Sequence, residues 1–365
     1  MTYTDKRIAF FAQGLAGGGA ERAIINLMHE FLGRGIAVDL LLTKRTGEYL
    51  ELVPPEVSIT NFDTDTPRAG LRKLIEYLKT ERPSALIAAF PNSNVVALMA
   101  RRISRVPTRV GISIQNTISQ ELSVERGRRR KVLRLFTKMT YPWADLIACV
   151  SAGVADDLAK VTGIPRTKID VIYNPVVTDN LFERAKEPVD HPWLAPGQPP
   201  VILSVGRLAP QKDQTVMIEA FAKLRAQRPC RLLILGQGVE REKLEAKVAE
   251  LGVGDDVSLP GFASNPYAYM ARAAVFTLSS RFEGLPTVLI EALACGTQVV
   301  STDCPSGPYE ILADGKYGWL VPMGDPDALA KALGEALDHG KPPVPESWHP
   351  YRAKVSADKF CEALL

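Results

Sequence analysis

Residues 201–226 read VILSVGRLAPQKDQTVMIEAFAKLRA, and this stretch decides the fold. Val201–Val205 is a short continuous apolar run, the pattern of a strand buried on both faces. A turn follows at Gly206, and Gln214–Ala226 then carries its apolar residues at helical spacing. Strand, loop and helix in succession make the first part of a βαβ unit, whose next strand lies parallel after a right-handed crossover. Towards the C-terminus, Leu232–Leu235 reads as that strand and Glu240–Leu251 as the next helix. Further strands fall near Val257–Leu259, Val275–Leu278, Gln298–Ser301 and Trp319–Val321, with helices at Thr287–Leu293 and Pro326–Leu337.

Towards the N-terminus the same alternation recurs. Ile8–Gln13, Val38–Leu42, Val57–Asn61, Ala85–Ala89, Thr108–Ile114, Leu146–Val150 and Asp170–Ile172 read as strands, with helical periodicity between most of them. Lys6-Arg7 before an apolar run superficially suggests a signal peptide, but the run ends at a glycine cluster without a cleavage site, so it reads as a buried first strand. Between 175 and 200 the pattern breaks on six prolines (175, 188, 192, 196, 199 and 200). The expected architecture is α/β, with two doubly wound Rossmann-like domains facing a central cleft. One covers residues 1–175, a linker 176–199, and the other 200–344.

Composition agrees with two domains: 365 residues, 46% hydrophobic, with no apolar run as long as a membrane-spanning helix. Five cysteines without a C-x-x-C pair argue against a disulfide framework or a cysteine zinc site and fit a cytoplasmic chain. The net charge of +3 hides an asymmetry. Residues 1–175 carry 25 Lys+Arg against 17 Asp+Glu, whereas the rest carry 19 against 24, so the halves face different partners.

In open α/β sheets, ligands sit beyond the carboxyl ends of strands. After the first strand, Gly17-Gly18-Gly19-Ala20-Glu21-Arg22 offers close backbone approach and a helix N-terminus, which suits an anion. The dinucleotide fingerprint G-x-G-x-x-G is absent there, and Gly236-x-Gly238 lacks its third glycine, which weakens a nicotinamide dehydrogenase reading. Gly206-Arg207-Leu208-Ala209-Pro210-Gln211-Lys212-Asp213 places two cations in a loop before a helix, suited to clamping a diphosphate. Farther on, Glu283-Gly284-Leu285-Pro286-Thr287 closes a strand and opens a helix, with Pro286 expected as the first helical residue. Glu291 then falls inside that helix among Val288, Leu289, Ile290, Ala292 and Leu293. A carboxylate so placed needs partners, and ribose hydroxyls are suitable donors.

These residues resemble the retaining glycosyltransferases of family 4, which have the GT-B fold. The resemblance rests on Gly17–Arg22, Gly206–Asp213, the E-x7-E spacing of Glu283 and Glu291, and Ser306-Gly307-Pro308-Tyr309-Glu310, in the family's order along most of the chain. It implies that Arg207 and Lys212 bind the donor diphosphate and that Glu291 holds the nucleotide ribose. Glu283, with the backbone of Gly284, Leu285, Pro286 and Thr287, would orient the donor sugar and phosphates. Arg207, Lys212 and Glu283 are thus the expected catalytic residues, with Gly206, Gly18 and Gly19 completing the donor site. Residues 345–365 would pack back onto the first domain. Where the family often carries a histidine, this chain has Gln115, followed by Asn116; with Glu21 these form the expected acceptor or donor-sugar side. Glutamine can bond a sugar hydroxyl but cannot act as a base.

No cofactor or metal is expected. Asp63-Thr64-Asp65 matches the D-x-D of metal-dependent transferases only superficially, because it lies far from the clamp in sequence. Residues 126–143 carry seven cations and no acid, with Val132, Leu135, Phe136, Met139 and Trp143 at helical spacing. Arg128, Arg129, Arg130, Lys131 and Arg134 are therefore expected to contact an anionic membrane surface, with the chain peripheral on the cytoplasmic face. Nucleic acid is not expected as a partner, since no recognition motif or stacking aromatics accompany the cations. The expected reaction moves a sugar from a UDP- or GDP-linked donor to a hydroxyl of a lipid-linked saccharide in bacterial surface polysaccharide or glycoconjugate assembly. A nucleotide-sugar epimerase on the same fold and a non-catalytic binding subunit are the alternatives.

Overall fold

The computed structural model describes residues 5–120 and 127–365, for 127–130 the backbone alone. The chain divides into two units, Met1–Val176 with Tyr351–Leu365, and Val177–Pro350.

The first unit is built on seven strands: β1 (Arg7–Ala12), β2 (Ala37–Leu42), β3 (Ser58–Asn61), β4 (Ala85–Ala89), β5 (Arg109–Ile114), β6 (Leu146–Cys149) and β7 (Asp170–Val171). They lie in the order β3-β2-β1-β4-β5-β6-β7, each pair parallel. Ile8, Ala9, Phe10, Phe11 and Ala12 of β1 are all buried, because helices cover both faces of a parallel sheet. Phe10 stacks on Phe31 of the helix Gly19–Leu32 with ring centroids 6.0 Å apart.

The helix Ala353–Leu364 belongs to this unit, although it ends the chain. Its Ala357, Phe360, Cys361 and Leu364 enter the same core as Phe10 and Phe31. Gly111 of β5 makes the room: a Cβ there would stand 2.9 Å from Leu364 Cδ1. Polar ties fix the helix as well, with Arg34 paired to Asp358 at 2.8 Å and the Ser356 hydroxyl donating to the Tyr173 carbonyl at 2.7 Å.

The second unit repeats the plan with six strands: β8 (Val201–Val205), β9 (Arg231–Leu235), β10 (Val257–Gly261), β11 (Val275–Leu278), β12 (Gln298–Thr302) and β13 (Trp319–Val321). Their order is β10-β9-β8-β11-β12-β13, again parallel throughout. Both doubly wound sheets expected from the alternation are therefore present. In each, the strand order reverses beside the first strand, at β1/β4 and at β8/β11.

The stretch expected as a linker contains an eight-residue helix, Asp179–Lys186. The prolines misdirect the reading, since none lies between 176 and 187. The Thr178 hydroxyl caps the helix by accepting from the Leu181 N–H. Asn265 Nδ2 donates to the Arg184 carbonyl at 2.9 Å, and Arg184 donates to the Ser264 carbonyl at 2.7 Å, so the helix is fastened to the second unit.

Candidate functional site

Where strand order reverses, neighbouring loops leave in opposite directions and open a crevice beyond the carboxyl ends. In the second unit that point lies between β8 and β11, and two loops meet there: 206–213 after β8 and 279–286 after β11. Backbone and side-chain bonds join them. The Arg281 N–H donates to the Gln211 carbonyl (2.8 Å), Gln211 Nε2 to the Phe282 carbonyl (2.8 Å), and the Ser279 hydroxyl to the Lys212 carbonyl (2.7 Å). Arg281 Nε pairs with Asp213 at 2.8 Å.

This joining brings Lys212 to Glu283, 71 residues later, with Nζ 2.6 Å from Oε1. The pair is largely withdrawn from water, at 16% and 8% side-chain exposure, so its attraction is weakly screened while desolvation opposes it. The Ser280 hydroxyl donates to the same carboxylate oxygen at 2.6 Å. Lys212 uses one of its three N–H donors on Glu283, which leaves two for oxygens of a ligand. The buried Cys304 thiol registers the charge, pushed up to about 12 first by burial and then by Glu283.

Arg207 sits on the same loop, exposed, and joins no ion pair among the described residues. Only its carbonyl is held, by Gln214 Nε2 at 2.9 Å. The buried Gln214 Oε1 has no partner. The loop rests directly on Gly236 and Gly238: a Cβ on Gly236 would be 1.9 Å from the Gly206 carbonyl oxygen, and one on Gly238 2.2 Å from that of Leu208. These two glycines fail as a dinucleotide fingerprint and serve instead as the floor of the Gly206–Asp213 loop.

The helix after β11 begins at Thr287, as the reading Thr287–Leu293 has it, and Pro286 is not its first helical residue. Pro286 is its cap, with ψ 92° in the extended region, and no side chain caps the first N–H groups. Gly307, at φ +102°, passes so close that a Cβ would stand 2.6 Å from Pro286 Cδ. Beside it, the Glu283 N–H donates to the Pro305 carbonyl at 2.7 Å and the Ser306 N–H to the Glu283 carbonyl at 2.9 Å. The Ser306 hydroxyl also donates to the Gly284 carbonyl at 3.2 Å, so the backbone of 283–286, including Leu285, is supported from behind.

Glu291 is buried in this helix, and the Tyr267 hydroxyl donates to its Oε1 at 3.5 Å. The neighbouring Cys295 thiol is pushed up to about 12 by burial and by the Glu291 charge. Sequence reasoning missed Tyr267 and Ser280. Tyr267 carried no signal, because it lies on a five-residue helix, Pro266–Met270, too short for periodicity. Ser280 stood three residues before Glu283.

In the first unit, Gly18 caps the helix Gly19–Leu32 without a side-chain bond, and Glu21 folds back so that its Oε2 would be 2.8 Å from a Cβ on Gly18. Gln115 follows β5. It donates through Nε2 to the Ser113 hydroxyl (2.7 Å) and accepts at Oε1 from Asn174 Nδ2 (2.9 Å), a clamp that the sequence reading did not contain. Asn116 is exposed. Asp65 is 91% exposed and pairs with Lys44 at 3.4 Å, as an ordinary surface loop does. Arg126 and the side chains of Arg128, Arg129 and Arg130 lie outside the described residues; Lys131 and Arg134 are exposed on the helix Gly127–Thr140.

With this geometry in hand, the comparisons with known proteins become specific. Residues 17–180 match the family model described as Glycosyltransferase Family 4, and residues 186–354 the model described as Glycosyl transferases group 1. A Campylobacter jejuni relative is 32% identical over 92% of this chain and 91% of its own. It is named N-acetylgalactosamine-N,N'-diacetylbacillosaminyl-diphospho-undecaprenol 4-alpha-N-acetylgalactosaminyltransferase. The chain belongs to the family 4 glycosyltransferases. Another glycosyltransferase, the lipopolysaccharide core biosynthesis protein LpsE of Rhizobium meliloti, is 27% identical over 88% of this chain and 86% of its own. The crystal structure of Anabaena HepE in complex with UDP-glucose aligns with a TM-score of 0.82 and 20% identity, covering 98% of this chain and 99% of that one. At that identity the likeness shows the fold, which is that of the GT-B glycosyltransferases. In this glycosyltransferase, the three C-terminal motifs on which the sequence resemblance rests are the segments that meet around the β8/β11 reversal.

Proposed function

We propose that this glycosyltransferase moves a sugar from a UDP- or GDP-linked donor to a hydroxyl of a lipid-linked saccharide, with retention at the anomeric carbon and without a metal ion. The observation that carries the reading is the Lys212–Glu283 pair at the β8/β11 reversal, beside an uncapped helix start. Lys212 and Arg207 hold the diphosphate and stabilise the charge that grows as the donor bond breaks. The first N–H groups of the helix Thr287–Ala294 add their dipole to the same oxygens. These charges supply what a divalent ion provides in other transferases. Glu291 accepts from the ribose hydroxyls, and Glu283 orients the donor sugar.

The donor's bond from anomeric carbon to phosphate oxygen breaks as the acceptor oxygen bonds to that carbon from the same face. The departing phosphate oxygen takes the acceptor proton, so Gln115 need not act as a base. Gln115 hydrogen-bonds a sugar hydroxyl through its remaining Nε2–H. The acceptor class is supported by the names of the Campylobacter and Rhizobium relatives, and a place at a membrane surface by the basic segment 126–143.

Thermal unfolding with UDP, GDP, ADP, CMP and NAD, each with and without magnesium, tests the donor site. One nucleoside diphosphate at roughly a hundredfold over its dissociation constant should stabilise the protein by about 2.7 kcal/mol, unchanged by magnesium. Lys212→Ala should lose that stabilisation and lower transfer by about 10²–10³-fold. Response to NAD alone, or normal turnover in Lys212→Ala, would sink the assignment.

A further inference from the structure

Strand β11 ends on Leu278, and Ser279 and Ser280 follow it into the loop, both buried. A buried hydroxyl is costly without a hydrogen bond, and each of these spends its bond on one half of the Lys212–Glu283 pair. Ser279 donates to the Lys212 carbonyl at 2.7 Å, and Ser280 to Glu283 Oε1 at 2.6 Å. The Ser280 backbone is itself held from the neighbouring strand, since the Thr302 hydroxyl at the end of β12 donates to its carbonyl at 2.7 Å.

Ser280 and Lys212 Nζ therefore meet the same oxygen of Glu283, each at 2.6 Å. A carboxylate has two oxygens, and a lysine alone can straddle them or swing from one to the other. The second bond to Oε1 removes that freedom. Glu283 Oε2 makes no hydrogen bond among the described residues, and it is not one of the oxygens they seal in. The Glu283 side chain is only 8% exposed, so the opening suits one ligand group rather than a shell of water. An ionised carboxylate oxygen accepts and cannot donate, and the group that satisfies it is an O–H. We propose that Ser280 is a positioning residue: with Lys212 it keeps Oε1 occupied, so that Oε2 alone accepts from one hydroxyl of the donor sugar. This rests on the reading of the β8/β11 reversal as the donor site and divides the work between neighbours. Ser279 acts through Lys212 on the diphosphate, and Ser280 acts through Glu283 on the sugar.

The experiment is titration calorimetry of the full chain, first with UDP and GDP, then with UDP-glucose, UDP-galactose, UDP-N-acetylgalactosamine and GDP-mannose. Ser280→Ala should bind the nucleoside diphosphate as wild type does, and the tightest of the nucleotide sugars about tenfold more weakly. Unchanged diphosphate binding also shows that the variant is folded. Ser279→Ala should weaken both ligands by the same factor, about threefold or more. In a Glu283→Ala background, Ser280→Ala should change nucleotide-sugar affinity by less than about twofold, because its partner is gone. Among singly deoxygenated forms of that donor, one should bind Ser280→Ala and wild type alike, which names the hydroxyl. Nucleotide-sugar binding by Ser280→Ala that matches wild type, or that falls only as far as diphosphate binding does, would overturn the proposal. A full tenfold loss persisting in the Glu283→Ala background would overturn it too. Failure of wild type to bind either diphosphate would instead remove the donor site itself, and the proposal with it.

Discussion

The loops after β1 and after β8 occupy equivalent places in two sheets of the same strand order, and they are chemically unlike. The β8 loop delivers Lys212 onto Glu283 from the β11 loop, a charged and nearly buried pair at 2.6 Å. The first unit meets its own reversal with glycines and an uncapped helix. Farther along the same sheet edge it places a neutral chain of amides and hydroxyl, Asn174 to Gln115 to Ser113. One topology thus presents a fixed charge in one unit and neutral hydrogen-bonding groups in the other. The fold supplies the position, and loop residues supply the chemistry. Charge suits a diphosphate, whereas neutral amides suit sugar hydroxyls.

The comparison can be broken most severely at the first unit's borrowed helix. Phe360→Ala should destabilise that unit by about 3–5 kcal/mol, since it empties a site in the core. Calorimetry with and without UDP should show the loss while the nucleotide still stabilises the second unit; loss of the UDP effect would mean that the units are not independent. Next come two glycines with matching geometry. Gly47, at φ +122°, would put a Cβ 2.0 Å from the Leu15 carbonyl oxygen, and Gly236, at φ +148°, 1.9 Å from that of Gly206. Each change to Ala should cost about 1–3 kcal/mol in chemical denaturation. Only Gly236→Ala should also weaken UDP binding, and equal binding by both variants would erase the distinction between the loops.

A subtler variant sharpens the comparison. Gln115→Ala removes a neutral hydrogen bond, so transfer should fall by about three- to tenfold with UDP affinity unchanged. A changed UDP dissociation constant, read by titration calorimetry, would move Gln115 into the donor site. The smallest effect is one of pH, in the second unit. Burial, and then the Arg231 charge, hold the His191 imidazole below its ordinary value of 6.5. The unfolded chain therefore takes up this proton at higher pH than the folded one does. Its contribution to stability is complete above pH 6.5 and declines as pH falls through that value towards the folded one. His191→Asn should flatten that part of the melting profile slightly, and an identical profile would show that the imidazole is not shielded.

Much of this was legible in the sequence because its causes are local. The apolar runs at 8–12 and 201–205 had to be buried strands, and the glycine turns after them had to precede helices. Glu291 could be singled out because a carboxylate among Leu289, Ile290 and Leu293 needs an explanation whatever the fold, and Glu283 by its E-x7-E spacing from it. Glycine spacing was less informative than glycine contact. Gly236 and Gly238 look like a defective motif in one dimension and become the floor of a loop in three. The helix 179–186 was hidden because two turns of helix beside a proline cluster leave no periodic trace.

The sequence by itself determined the two parallel sheets and the residue types at the loop ends, because hydrophobic period and backbone freedom are properties of neighbours along the chain. The tertiary structure decided which of those residues meet. Lys212 and Glu283 are 71 residues apart, Tyr267 and Glu291 are 24 apart, Asn174 and Gln115 are 59 apart, and each pairing depends on strand order rather than on spacing. It also shows how the last helix, which the family resemblance implies would return to the first domain, completes that core. Phe360 and Leu364 lie in one core with Phe10, and Leu364 lies beside Gly111 of β5, so residues hundreds of positions apart meet where no local pattern brings them together.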